Sequence, residues 1–527
     1  MTELKWDFPH ASRRMPVFAK NAVAASQPLA VQAGLRMLLK GGNAVDAALA
    51  TAIALTVTEP VSNGLGSDAF ALVWDGKGLT GINGSGRSPK AWTPERFAGL
   101  KQMPMTGWDA VTVPGAVDVW ARLSERFGKL GFEKLFEPAI TYARDGFPVS
   151  PLIAKAWAEA PALYGHLPDF VRTFLPGGRA PRPGQWFSLP ALANSLERIA
   201  ASNGNSFYRG RLAEKIAACA AAEGGAMTLD DLASHQSEWV TPISVEYRDV
   251  CLHEIPPNGQ GLAALVALGI LRHWDMEKYA PDGADSIHLQ VEAMKIGFAI
   301  AHAHIADPVW MHTDFHDFLD ENFLAKKAGQ IRTDQASSPI LPPTDKGTVY
   351  LSAADENGMM VSCIQSNFTG FGSGVVVPGT GISLQSRGHG FCLHKGHPNC
   401  AEGGKRPYHT IIPGFVTRDG EALMSFGVMG GHMQPQGHVQ MMVRIFDYQQ
   451  NPQAAADAPR WQICEDGKLA LEEGHAPGVK EELQKRGHVI AEDDPYWGYG
   501  GAQLIYRLER GYCAASDPRK DGQAAGF

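Results

Sequence analysis

The sequence predicts an α+β protein, and three observations lead there: ample apolar material for a large core, a helix-rich middle, and an abrupt change to strand texture at Thr348. Of the 527 residues, 44% are hydrophobic and 19% charged, with 58 Gly and 35 Pro, the profile of a turn-rich globular chain. Disordered and fibrous architectures are excluded. A prior of about 150 residues per domain sets the first expectation at three or four domains.

In chain order, residues 22–25 read as a short buried strand. Ser26-Gln27-Pro28 then offers a cap and a proline in the first turn, so a helix is expected over 28–40. Gly41-Gly42 ends it, and Asn43 caps a second helix over 44–56, whose run of alanines lets another element approach closely. The glycine-rich turn from Ser62 to Asp68 leads to a strand at 69–74 and its hairpin partner at 79–82. A strand follows this Gly-x-Gly where a dinucleotide site needs a helix, so the motif reads as a backbone turn.

Residues 117–235 are mainly helical, with stops at Gly128, Gly146 and Gly224-Gly225. Strands return over 239–254, the tight loop from Pro256 to Gly261 enters a helix at 262–273, and a longer helix covers 286–306. A Ser/Pro/Asp-rich linker occupies 334–347. Beyond it a hairpin is expected, with strands at 348–354 and 359–365 around the turn 355–358. Further strands fall near 374–377, 411–416, 423–427 and 503–508, with a helix at 436–449.

The 47 basic and 55 acidic residues give a formal charge of -8. No broad basic face is therefore available to a phosphate backbone, which argues against nucleic acid as a partner. No window reaches the roughly 18 apolar residues of a membrane span, and residues 1–18 lack a signal-peptide stretch. The seven cysteines are an odd number without a Cys-x-x-Cys pair, so neither a disulfide framework nor a thiolate zinc site is encoded. The expectation is a cytoplasmic protein. His302, His304, Asp307, His312, Asp314 and His316 lie close in sequence, but His302 and His304 face different sides of a helix. No metal and no cofactor are expected.

Thr348 stands where the linker meets a strand. On its own it reads as an ordinary strand-starting residue. If the chain breaks before it, however, its new α-amino group, with a reference pKa of about 7.7–8.0, lies beside its own hydroxyl. Such an amine serves as general base for that hydroxyl, so nucleophile and base come from one residue.

Gly41-Gly42-Asn43-Ala44-Val45-Asp46-Ala47-Ala48, Val113-Pro114-Gly115, the Pro-Pro-x-x-x-Gly loop at 256–261, Lys405-Arg406-Pro407 and Gly430-Gly431 extend the pattern over nearly the whole chain. Together with Thr348 they resemble the gamma-glutamyltranspeptidase family of N-terminal-nucleophile hydrolases. The resemblance implies a precursor that cleaves itself between Gly347 and Thr348, giving a large subunit, 1–347, and a small subunit, 348–527. Both halves then build one four-layer αββα sandwich with extra helices, in place of three or four domains. By the same resemblance Thr348 forms the acyl-enzyme and the backbone of Gly430-Gly431 makes the oxyanion hole. Ser366 falls where the family has a hydroxyl that hydrogen-bonds the nucleophile, although a plain strand hydroxyl fits the residue equally well.

Departures from the family pattern bear on substrate. The stretch that supplies an arginine for the substrate carboxylate reads Ser85-Gly86-Arg87-Ser88-Pro89, with Arg87 two positions late. The acidic stretch that holds an α-amino group is replaced by Arg387-Gly388-His389-Gly390, and the paired serines after Lys-Arg-Pro by His409 and Thr410. These changes remove an ammonium partner and add guanidinium groups, which suits a carboxylate without an amino group. Arg87, Arg387, His389, His409 and Thr410 are accordingly the substrate-binding candidates. For Arg387 a structural salt bridge is the competing reading, and for the two histidines a satisfied supporting role.

Within the family the pattern is similar to the branch that includes oxamate amidohydrolase of purine breakdown. The expectation is hydrolysis of a small anionic amide, with oxamate to oxalate and ammonia as the leading case. A gamma-glutamyl hydrolase or transpeptidase, an acylase acting on a glutaryl-type amide, and a catalytically silent binding protein of the same fold are the alternatives. Oligomeric state stays open.

Overall fold

A computed structural model describes residues 13–338, 347–492 and 498–527. Most of the expected linker, 339–346, and the first twelve positions of the stretch read for a signal peptide lie outside the described residues.

Two antiparallel sheets of seven strands lie face to face. One runs, edge to edge, Gln523–Gly526, Ala22–Ala25, Val349–Ala354, Met360–Ser366, Asp68–Trp74, Leu79–Asn83 and Glu238–Val240. The other runs Val17–Ala19, Tyr512–Ser516, Gly501–Arg507, Glu421–Met429, Gly414–Arg418, Val250–Glu254 and Ile243–Tyr247. Each sheet thus combines strands from both sides of the Gly347–Thr348 bond.

Strand periodicity explains why four layers result. Side chains alternate between faces along a strand. Phe70, Leu72, Tyr350 and Ile364 point into a core shared with Phe415, Met429 and Ile505 of the second sheet. Their neighbours Ala71, Val73, Val349, Leu351 and Val361 point the other way, into a core with the first two helices. The second sheet repeats the arrangement, with Val416, Met424 and Phe426 packed on helices that include Leu265, Phe298 and Val443. The order helix, sheet, sheet, helix follows from burying both faces of both sheets.

The helix Pro28–Leu39 starts as expected, but Gln27 rather than Ser26 caps it, its side chain accepting from the Leu29 and Ala30 N–H groups. Ser26 instead donates to Glu59 Oε2 at 2.5 Å. Asn43 and Asp46 form a capping box for Ala44–Thr58, every residue of which is buried. Its small residues admit the first helix so closely that a Cβ on Gly34 would lie 2.3 Å from Thr51 Oγ1.

The helix Ala284–His304 and the hairpin Val349–Ala354 with Met360–Ser366 match their expected places within two residues. The expected helix at 436–449 is shifted, running Met433–Phe446 directly from the glycine pair. The strands Val17–Ala19, Tyr512–Ser516 and Gln523–Gly526 add to those read from the sequence. Among the described residues no helix is long and apolar enough to cross a membrane.

Candidate active site

Thr348 directly precedes the strand Val349–Ala354 and is 2% exposed in the unbroken chain. Pairing of Val349 with Gln365 brings the next pair, Thr348 and Ser366, face to face. The Thr348 hydroxyl donates to Ser366 Oγ at 3.2 Å, and Ser366 donates to the Gly347 carbonyl at 2.5 Å. Ser366 Oγ is also within reach of the Phe368 N–H at 2.8 Å and of Arg387 Nη2 at 3.0 Å. A hydroxyl oxygen has two lone pairs, so these three donors compete for it.

Arg387 is completely buried. Its Nη1 donates to Thr410 Oγ1 at 2.6 Å, its guanidinium carbon sits 4.5 Å from the Phe368 ring centroid, and its backbone N–H donates to Gln385 Oε1 at 2.5 Å. The cation is therefore held in a fixed pose between two hydroxyls and an aromatic face.

Gly430 and Gly431 close the strand Glu421–Met429 and open the helix Met433–Phe446. Their φ angles of 122° and 60° lie where L side chains are strained. Their carbonyls accept from the Met433 and Gln434 N–H groups at 3.0 Å each. Among the described residues neither glycine donates its own N–H to a protein acceptor. Two unspent donors at a helix N-terminus suit a developing negative charge.

Thr410 ties this turn to Arg387 through Gln260, whose Nε2 donates to the Thr410 carbonyl at 2.5 Å and the Gly431 carbonyl at 3.0 Å. A continuous run of polar contacts thus joins Thr348, Ser366, Arg387, Thr410, Gln260 and Gly431. The sequence reading gave Gln260 no role, although it lies in the Pro256 to Gly261 loop already singled out.

His409 engages an acid beside this group, since Asp68 is the cross-strand neighbour of Ser366. Its Nε2 meets Asp68 Oδ2 at 3.0 Å, and both side chains are fully buried. Burial, with Arg387 and Arg406 nearby, pushes His409 well below the usual histidine value. Burial raises Asp68 to about 7, against the opposing pull of Arg387. His409 is thus a partner for a buried acid. His389 is half-buried, with Nδ1 against the Met103 carbonyl at 2.6 Å and its ring 5.7 Å from that of Phe368.

Arg87 stands apart. Its Nη1 meets Asp307 Oδ2 at 2.6 Å and the Gly404 carbonyl at 3.1 Å, with Glu238 at 3.8 Å from Nη2. No hydrogen bond or ion pair joins it to the Thr348 group among the described residues. The backbone here lies hard against a neighbouring segment: a Cβ on Gly86 would fall 1.5 Å from the Val113 carbonyl oxygen, and the Arg87 carbonyl accepts from the Val113 N–H at 3.0 Å. A cleft of about 1040 Å³ near Arg406 and the Pro256-Pro257 turn contains neither Thr348 nor Arg387.

The histidines weighed for a metal disperse. His302 stacks on Phe298, His304 meets Phe318, and His316 pairs with Asp314. Among the described residues, one group of three ligand-type side chains lies within 4.8 Å: His288, Glu292 and His488. There the Lys295 ammonium sits 2.8 Å from Glu292 Oε1 and the two imidazoles bond each other at 2.8 Å. Those contacts already balance the carboxylate and, with the Arg332 carbonyl 2.6 Å from His288 Nε2, occupy both nitrogens of His288 and Nε2 of His488.

The sandwich of two buried antiparallel sheets between helix layers is the N-terminal-nucleophile hydrolase fold, and the protein is a hydrolase of that class. The chain belongs to the gamma-glutamyltranspeptidase family, whose pattern matches residues 30–527. It is 36% identical over 523 residues to the glutathione hydrolase-like YwrD proenzyme of Bacillus subtilis (strain 168), covering 96% of this chain and 98% of that one. It is 37% identical over 520 residues to the oxamate amidohydrolase proenzyme of Klebsiella pneumoniae, covering 95% and 98%. The crystal structure of cephalosporin acylase from Bacillus halodurans superposes with a TM-score of 0.95 at 45% identity, covering 100% of this chain and 99% of the other. The first two of these relatives are proenzymes by name.

Proposed function

We propose that this protein is an autoprocessed amidohydrolase that uses Thr348 to cleave a small anionic amide, with oxamate as the leading substrate. The observation that carries this reading is the position of Arg387. Its guanidinium is only two hydrogen bonds, of 3.0 and 3.2 Å, from the Thr348 hydroxyl. A carboxylate bonded directly to the amide carbonyl spans that short interval. A gamma-glutamyl group interposes a propyl-length spacer and calls for a more distant cation.

Maturation begins with attack of Thr348 Oγ1 on the Gly347 carbonyl carbon. Ser366, already donating to that carbonyl oxygen at 2.5 Å, supports the developing oxyanion. The C–N bond breaks, the Thr348 nitrogen gains a proton, and water hydrolyses the resulting ester. Met1 to Gly347 is thereby separated from Thr348 to Phe527, and the buried hydroxyl is opened to substrate.

In turnover, the freed α-amine takes the Thr348 hydroxyl proton as the oxygen attacks the substrate carbonyl. The N–H groups of Gly430 and Gly431 stabilise the oxyanion, and Arg387 with Thr410 holds the carboxylate. The proton passes to the leaving nitrogen, ammonia departs, and water hydrolyses the acyl-threonine to oxalate. Arg87, bound to Asp307, has no part in this scheme.

A second reading is an acylase or gamma-glutamyl hydrolase, favoured by the 45% identity to the cephalosporin acylase and the 36% identity to the glutathione hydrolase-like relative. The experiment compares turnover of oxamate, a gamma-glutamyl anilide and a glutaryl amide by the processed protein. Denaturing electrophoresis of the wild type and Thr348→Ala runs alongside. Two fragments in the wild type, one chain in the variant and fastest turnover of oxamate are expected. Faster glutamyl or glutaryl turnover overturns the substrate, and an uncut wild type overturns the nucleophile.

A further inference from the structure

The polar run between Arg387 and the glycine turn narrows to one side chain. Gln260 is fully buried. Its two amide hydrogens serve two carbonyls on different segments, Thr410 at 2.5 Å and Gly431 at 3.0 Å. Its Oε1 accepts from the Tyr408 hydroxyl at 3.2 Å, which fixes the amide's orientation. Its own N–H donates to the His409 carbonyl at 2.9 Å, while the His409 N–H donates to the Asn258 carbonyl at 2.9 Å. The Gln260 backbone is therefore clamped beside the segment its side chain bridges.

Both bridged groups need such a fixture. Glycine backbone turns at low energetic cost, so a glycine pair holds one orientation only if its carbonyls are restrained. Thr410 in turn carries Arg387 through its hydroxyl. A carboxylamide is the side chain for the task, because its NH₂ donates twice from one nitrogen while its oxygen accepts.

We propose that Gln260 is a positioning residue that sets the spacing between the carboxylate-holding pair, Arg387 and Thr410, and the oxyanion-binding glycines, Gly430 and Gly431. It deepens the proposed function and rests on it. A substrate with its carboxylate next to the reacting carbonyl must touch both groups at once, so a fixed spacing discriminates by chain length. An error of about 1 Å in such a fixture costs on the order of a hundredfold in rate.

The test uses the processed, full-length protein with Gln260→Glu and Gln260→Met. Glutamate keeps the shape but has at most one donor hydrogen for two carbonyls, and methionine keeps approximate volume with none. Reactive Thr348 is counted by stoichiometric labelling with an amide-mimicking electrophile, and kcat is expressed per labelled site. The expected result for both variants is a fall of about tenfold or more in kcat per labelled site, with a comparable thermal midpoint. The kcat/KM preference for oxamate over a carboxylate-free amide of similar size should also shrink.

Wild-type kcat per site together with an unchanged preference overturns the proposal. So does a loss confined to the number of labelled sites, which marks a folding role alone. Failure of the underlying reading looks different: Thr348→Ala would then retain turnover, or the wild type would not label at Thr348.

Discussion

The Arg387 guanidinium donates to the Ser366 hydroxyl at 3.0 Å, which sets a fully buried cation beside the hydroxyl that faces Thr348. In the unbroken chain Ser366 also serves the Gly347 carbonyl. One hydroxyl thus adjoins the bond proposed to be cut, the proposed nucleophile and the proposed substrate cation.

Ser366→Ala removes the donor on the Gly347 carbonyl and leaves Thr348 in place. Conversion of precursor to two fragments should slow by about a hundredfold, the usual loss for one oxyanion donor. A time course on denaturing gels measures it. Processing at the wild-type rate would assign Ser366 to the strand alone.

Arg387→Lys keeps the charge and loses the planar fork that reaches Ser366 and Thr410 together. KM for oxamate should rise about tenfold or more, while kcat/KM for a carboxylate-free amide should change little. Steady-state kinetics on both substrates decides it. Equal losses on the two would point to a structural arginine.

Asp68 has its pKa raised to about 7, first by burial. A raised value means the folded state binds the proton more tightly than the unfolded chain. The resulting stabilisation is fully present below the ordinary carboxyl value and is lost as pH rises through about 7. Asp68→Asn should flatten this part of the stability curve, read as denaturant midpoints from about pH 4 to about pH 8. An unaltered curve would exclude a protonated Asp68 beside His409.

His253 has the opposite sign. Burial lowers its pKa to about 4, and its Nε2 meets Thr417 Oγ1 at 2.8 Å. The unfolded chain takes up a proton near pH 6.5 that the folded one refuses, so stability falls as pH drops from there toward 4. His253→Gln should reduce that acid-side loss by up to roughly 3 kcal/mol, at about 1.4 kcal/mol per pH unit. Calorimetric midpoints across this range measure the difference.

Much of this architecture was legible in the residues. The cap at Asn43, the hairpin after Thr348 and the glycine pair at 430–431 are signalled by neighbours a few positions away. Contacts between Asp68 and His409, or Gln260 and Gly431, join residues 341 and 171 positions apart, and periodicity carries no trace of them. The same limit hides the pairing of Arg87 with Asp307, 220 positions away. Tyr512–Ser516 and Gln523–Gly526 escaped notice because alanine and glycine are poor strand formers. They are strands here through pairing with Val17–Ala19 and Ala22–Ala25.

The interleaving of strands sets a condition on any cut protein. Val349–Ala354 lies between Ala22–Ala25 and Met360–Ser366, and Gln523–Gly526 flanks Ala22–Ala25 on the other edge. Fragments divided at Gly347 would meet through the interior of the fold, so parting them and unfolding them are one event. In an uncut chain the two parts cannot diffuse away from each other. A cut form, once denatured, must find its counterpart again in a second-order encounter, so its melting temperature should depend more steeply on concentration than that of an uncut Thr348→Ala chain.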